Sequence, residues 1–471
     1  MKKNPVFVVV FIYIAFGISG LLLRLILFYE RWSIVMETMI KEKNMAVKDF
    51  PPGFKDLLSF GFIEALLGRR SRRVFMGAEI PDGVFAFKSK QKLVPLSELE
   101  KLLVVAACGG NSSWNNLIYR AQLYAPHLSN YAASAGGRTF PSAAGFHTSK
   151  TFFTDDNGIY VLEARDAEPF AERKPDGSLD LDTILDSLRR QTRKIRDGRL
   201  GLPPEVPYTE AHNTWVANHP GSLLVIPVGD LSQHMLLNLC YMLQNGLVLK
   251  DDINKRAVPG VEKFRELADP DNVWPLTFVE QWSMAEVTAE LSTSCYAGTL
   301  MLQAMGLGGW MFNGLDPFAV LGASGNPDVP GLGFRYDENE TWPYPNPTGL
   351  EGVMEGYCPP HYPDMRAAVE AVCERKFGAG GPFHPDTPGP WKDSHKVRSS
   401  AQVHNEMFRE CVTLQAQYIL DTFGKFPGTI PSIFLITYLQ AQHIDLEFYD
   451  EFYKPGAYLK AHATHMSRWH P

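Results

Sequence analysis

Close cysteine pairs are missing from this 471-residue chain. Cys108, Cys240, Cys295, Cys358, Cys373 and Cys411 show no C-x-x-C spacing. That excludes a recognisable zinc ribbon or dithiol redox motif and gives no secreted disulfide framework; buried, reduced thiols are the plain reading. A basic excess is missing too. The net charge of −7 argues against a general nucleic-acid binder, and no nucleic-acid partner is expected. No G-x-G-x-x-G fingerprint stands in a β-α-β setting, so any nicotinamide would be bound loosely. Repeats and low-complexity tracts are absent as well. What remains is globular, with 45% hydrophobic and 21% charged residues. The length exceeds one ordinary domain and can bury a large core.

Charge is also absent from residues 5–23, which follow Lys2 and Lys3. At about 1.5 Å per residue this run nearly matches a hydrocarbon core of about 30 Å. The expectation is a single-pass N-terminal transmembrane helix over 1–30. A cleaved signal peptide is the first rival, but no small-x-small site follows the apolar run. A buried or interfacial helix is the second. Arg24, Arg31, Lys41 and Lys43 follow the span and favour a cytoplasmic body. A second uncharged window, 291–315, holds Ser292, Thr293, Ser294, Thr299, Gln303 and Asn313. It reads as a buried helix running into a tight turn.

Local signals place further elements. Ser97 and Glu100 form a capping-box pattern ahead of a helix near 97–107. Residues 151–154 and 159–162 flank Asp155-Asp156-Asn157-Gly158 and predict a β-hairpin. A strand is expected at 222–228, helical structure at 235–249, and a buried helix over 286–305 stopped by Gly306-Leu307-Gly308-Gly309. Residues 318–321 read as a short strand, and prolines make 327–363 a long loop. Helices follow Asp364 and span about 404–423, stopped by Gly378 and Gly424. Helices interleaved with short strands indicate an α+β fold.

Two stretches carry chemistry. Arg69-Arg70-Ser71-Arg72-Arg73-Val74-Phe75 concentrates guanidinium forks, the donors suited to phosphate and to the polar edge of a planar ring. A solvated basic cluster is its plain alternative. Downstream, Pro141-Ser142-Ala143-Ala144-Gly145 follows the helix near 97–107, and Asn313-Gly314 follows the late glycine turn.

In this order the three pieces resemble the FMN-dependent nitroreductase superfamily, over roughly 60–165 and 280–325. The Arg-Thr-Phe-Pro-Ser-Ala form is similar to its thiazoline-oxidising branch. The resemblance implies a three-layer α/β/α domain with a central, mostly antiparallel sheet. It would occupy 66–334, with a long insertion at about 166–280, a lead-in at 31–65 and a C-terminal extension over 335–471. It implies bound FMN, a homodimer and a small-molecule substrate, with NADH or NADPH as a reductant. Arg69, Arg70 and Arg73 would hold the phosphate and pyrimidine edge, and Ser71 the phosphate or ribityl chain. Pro141, Ser142 and Ala143 would pack on the ring from the partner subunit. Asn313 and Gly314 would lie near N5, and Arg335 is the candidate for completing the phosphate site. Gly145 stands where many members have Asn, and His147 where Gln is common, which puts the ribityl contacts in doubt. No catalytic residue is assigned; Tyr119, Tyr131 and His147 are candidate proton donors, each with a structural reading beside it. An oxidase acting in a complex on a modified peptide is one alternative, and a non-catalytic relative that keeps the fold is another.

His462-x-x-His465 and His470 sit near His443, Asp445 and Glu447 and invite a metal reading. Ligands need a fixed scaffold, and a chain terminus is a poor one. Packing or a tail is the expectation, and no metal ligand is assigned. Cys358 reads as a structural loop cysteine.

Overall fold

The computed structural model describes residues 50–116, 130, 132–165 and 173–471. The proline pair at 51–52 starts a short helix, α1 (Pro52–Leu58), and α2 (Phe62–Leu67) leads into the arginine run. Helix α3 (Glu98–Gly109) begins at the predicted capping box: Ser97 accepts from the Glu100 amide while Glu100 accepts from the Ser97 amide. The predicted hairpin forms as β1 (Ser149–Asp155) and β2 (Gly158–Leu162). Asp155 closes its turn by accepting from the amides of Asn157 at 2.8 Å and Gly158 at 3.1 Å.

Further along come α4 (Leu181–Gln191), β3 (Thr192–Asp197), β4 (Leu223–Asp230) and α5 (Leu231–Gln244). The 30-residue α6 (Leu276–Met305) starts ten residues earlier than the sequence pattern suggests and stops at Gly306 with φ +79°. Then follow β5 (Gly308–Phe312), α7 (Met365–Phe377), α8 (Glu406–Phe423), β6 (Ile433–Phe434), β7 (Tyr438–Gln442) and α9 (Lys460–Trp469). Residues 317–321 are helical, not a strand. Asp316 caps them and Pro317 fits the first helical turn, where its missing N–H costs nothing.

The main sheet runs β5-β7-β4-β1-β2-β3, with β6 also on β4, and every pairing is antiparallel. Strand β4 is buried along its whole length, and its sequence is apolar from Leu223 to Val228 before Gly229 and Asp230. Its Leu223 and Val225 join Leu102 and Leu103 of α3 and Leu302 of α6 in one core. Leu224 and Ile226 join Phe152, Val161 and Tyr438 on the opposite face. A separate core packs α5, α7 and α8 through Leu239, Val372 and Val412.

Several expectations are corrected. The chain is a mixed α/β structure with small two- and three-stranded sheets around the seven-stranded one. It is not one three-layer domain with an appendage, because β7, from the expected extension, lies between β4 and β5. The span from 166 to 280 likewise supplies β3 and the central β4. No helix among the described residues is long and apolar enough to cross a membrane. The expected anchor at 1–30 lies outside the described residues, as do Tyr119 and Tyr131. The transmembrane helix, the membrane partner and the single-pass localisation with a cytoplasmic body are therefore unsupported. Helix α6 fills much of the second uncharged window and buries Glu280, Glu290 and Gln303, so it belongs to the core.

Candidate functional site

The arginine run follows α2 and is bridged to β5 at the glycine turn. Arg72 and Gly309 exchange backbone hydrogen bonds, Arg72 N to Gly309 O at 3.3 Å and Gly309 N to Arg72 O at 2.8 Å. Gly309 holds φ +140°, and a Cβ there would meet Gln440 O at 1.9 Å. Two of the three motif pieces thus touch, although far apart in sequence.

Side chains along the run meet different surroundings: Arg70 and Ser71 are exposed, Arg69 and Arg73 half-buried, and Arg72 buried. Arg72 is sealed in, donating to Gln303 Oε1 at 2.6 Å, Ala457 O at 3.0 Å and Gly68 O at 3.3 Å. Burial pushes its guanidinium down to about 10, which leaves it charged at neutral pH. Arg70 donates through Nη1 to the carbonyls of Leu67 at 3.2 Å and Arg69 at 2.7 Å. Among the described residues, the side chains of Arg69, Ser71 and Arg73 make no hydrogen bond or ion pair. Arg73 lies 5.1 Å from the centroid of buried Trp310.

The third piece sits elsewhere. Thr293 Oγ1 donates to Pro141 O at 2.9 Å, tying this loop to α6 ten residues before Gln303. At 1.5 Å per residue the two contacts stand about 15 Å apart. Pro141 and Ala143 are exposed, Ser142 is half-buried, and Gly145 turns with φ +70°. His147 is the unusual residue, a buried non-glycine with φ +52° whose Nδ1 has no partner. Burial holds its imidazole below the ordinary range, with Arg138 adding to the effect. Behind it, Ser149 donates to Glu290 Oε1 through its amide at 3.0 Å. His234 links Thr148 Oγ1 at 3.1 Å to Glu286 Oε2 at 2.9 Å.

Asn313 and Gly314 follow β5, and Gly314 O accepts from the Glu210 amide at 3.1 Å. A Cβ at Gly314 would meet Asn213 Nδ2 at 2.1 Å, so close packing explains that glycine. Arg335 is exposed in a separate three-stranded sheet, 3.9 Å from Asp337, and does not join the arginine run.

A second polar centre was not assigned from sequence. Glu100, His443, His465 and His470 bring their ligand-type atoms within 4.8 Å of one another. Glu100 Oε1 lies 3.2 Å from His443 Nε2, 2.8 Å from His465 Nε2 and 3.1 Å from His470 Nε2. Its other oxygen is held by Ser97 N at 2.6 Å and Ser97 Oγ at 2.7 Å. Of the remaining candidates, His462 accepts from the Leu459 amide at the start of α9, Asp445 caps the helix at 446–452, and Glu447 pairs with Lys90. The capping box marked Glu100 as a helix-starting residue, which hid its second role.

No protein-family model matches the chain, and no curated protein matches it. Among solved structures, one similar chain is a protein of Ralstonia eutropha JMP134 assigned as a nitroreductase. Identity is 12%, coverage is 55% of this chain and 71% of that one, and the TM-score is 0.27. The likeness is weak. At that score it carries no argument, and any oxidoreductase reading rests on this chain's own residues. The homodimer and small-molecule partner implied by the resemblance gain no support and are set aside.

Proposed function

We propose that the chain is an FMN-dependent oxidoreductase whose cofactor is held by Arg69, Ser71 and Arg73. One observation carries this reading. Those three side chains leave their donors unspent, while Arg72 between them is locked to Gln303 and, through its backbone, to Gly309. Two guanidiniums and a hydroxyl on a fixed segment form a donor set that fits a phosphate and the carbonyl edge of a flavin ring. Arg70 is given a lesser part because its Nη1 already donates to Leu67 O and Arg69 O.

Bound FMN would supply reversible hydride transfer. The chain's own part is positioning and charge. Arg72 fixes the backbone, and Trp310 steadies the Arg73 guanidinium by a cation–π contact. A fixed cation at the pyrimidine edge favours negative charge on the reduced ring. NADH or NADPH is the reductant to test first.

The test is a visible spectrum of the purified chain after FMN loading and gel filtration, with and without each nicotinamide. Retained flavin that bleaches on reductant supports the proposal. A folded chain that retains no flavin sinks it.

A further inference from the structure

The three histidines around Glu100 pose a proton-counting problem. His443 Nδ1 lies 2.8 Å from Val94 O, and His465 Nδ1 lies 2.8 Å from Met305 O. Carbonyl oxygens only accept, so both Nδ1 atoms carry the proton and donate. In a neutral ring this leaves Nε2 with a bare lone pair. Both Nε2 lone pairs then face a carboxylate oxygen, which also only accepts. His465 Nε2 is buried and lacks hydrogen-bonding geometry to any partner, although it lies 2.8 Å from Glu100 Oε1. Something positive must sit among these atoms.

Two occupants fit the sign: extra protons, making adjacent buried imidazoliums, or a metal ion. The His443 and His465 ring centroids are 5.0 Å apart, and the side chains are 2% and 4% exposed. Two imidazoliums at that spacing repel each other in a poorly solvated place. A metal needs no second proton on either ring. It also uses what is present: imidazoles fixed in one tautomer by backbone carbonyls, and a carboxylate whose other oxygen is held by a second shell.

We infer that Glu100, His443, His465 and His470 form a closed zinc site that clasps the C-terminal helix α9 to the first turn of α3. Three imidazole nitrogens and one carboxylate oxygen are a four-coordinate zinc donor set. Zinc ligation at about 2.0–2.1 Å places tetrahedral ligand atoms roughly 3.3 Å apart; Glu100 Oε1 stands 2.8–3.2 Å from the three nitrogens, and the whole set lies within 4.8 Å, so an ion would draw the imidazoles together. His470, 24% exposed, is the outermost ligand. The scaffold is three separate pieces of structure: the start of α3, the residue after β7, and the end of α9. The histidines near the terminus are therefore held by the core. Binding would release any proton carried on an Nε2.

The full chain is prepared without a histidine tag, stripped with EDTA and titrated with zinc chloride against a chromophoric chelator. About one zinc per chain is expected, together with a raised melting temperature. His465→Ala should abolish uptake. His470→Ala, at the partly exposed outer position, should keep the circular dichroism spectrum and weaken zinc binding at least about tenfold. Arg69→Ala/Arg73→Ala should take up zinc normally, which separates this site from the flavin proposal. A folded wild-type chain that takes up no zinc would overturn the inference and leave the buried protons. Wild-type affinity in His470→Ala would also overturn the four-ligand assignment.

Discussion

Arg72 and Arg73 are neighbours, yet one is sealed among Gln303, Gly68 and Ala457 while the other leaves its hydrogen-bond donors free. Substitution should therefore separate folding from binding. Arg72→Ala leaves Gln303 Oε1 with only the Arg70 amide at 3.4 Å, takes a donor from the carbonyls of Gly68 and Ala457, and should cost on the order of 3 kcal/mol in urea unfolding. Arg73→Ala should leave unfolding nearly unchanged and weaken FMN retention; the opposite pattern would exchange the roles of the two arginines. The resemblance in sequence grouped Arg70 with Arg69 and Arg73 and gave Arg72 no role. The bridge to Gly309 and the bond to Gln303 supply the structural role of Arg72. Burial pushes the Lys425 ammonium from 10.5 down to about 8, against the opposing charge of Glu280. Between those values the unfolded chain binds more protons than the folded one, so this residue makes stability rise with pH. Below about 8 its contribution is flat. Urea midpoints at pH 7.5 and 9.5 should show an upward slope in the wild type that Lys425→Met removes; equal slopes would refute it.

Elements were legible where the backbone chemistry is local. Ser97 and Glu100 announced α3, Gly306 and Gly424 stop α6 and α8 in left-handed geometry, and Asn157-Gly158 made the hairpin. The apolar run at 318–321 was misread as a strand because so few residues carry no period; Asp316 and Pro317 decide it as a helix. Strand β7 escaped notice because it buries Gln440 and Gln442, residues that do not look like a core strand. Gln440 donates to Val216 O at 2.8 Å and Gln442 to Arg73 O at 2.5 Å, so both are satisfied inside. The capping box offers a test across two sites. Ser97→Ala should lose about 1 kcal/mol of stability, and it should also weaken zinc binding because Glu100 Oε2 loses its side-chain anchor. Unchanged zinc affinity would uncouple the two roles.

At the scale of the molecule, the pieces that seemed peripheral are central. Strand β7 lies between β4 and β5, and α9 brings His465 and His470 to α3. No local signal in the sequence encodes pairings this distant. A chain cut before residue 435 should lose cooperative unfolding, since β4 and β5 would have no strand between them; a cooperative transition in that truncation would show that the sheet closes without β7. Of the flavin motifs, the arginine run and the glycine turn come together, whereas the Pro141 loop stands about 15 Å along α6 and Arg335 in another sheet. The central claim therefore rests on Arg69, Ser71 and Arg73. Its most direct test is the FMN content of the full chain after gel filtration, beside Arg69→Ala/Arg73→Ala matched for melting temperature. About one FMN per wild-type chain, and loss of it in the variant, is the expected result. Equal retention in the two, or none in a folded wild type, would contradict the account.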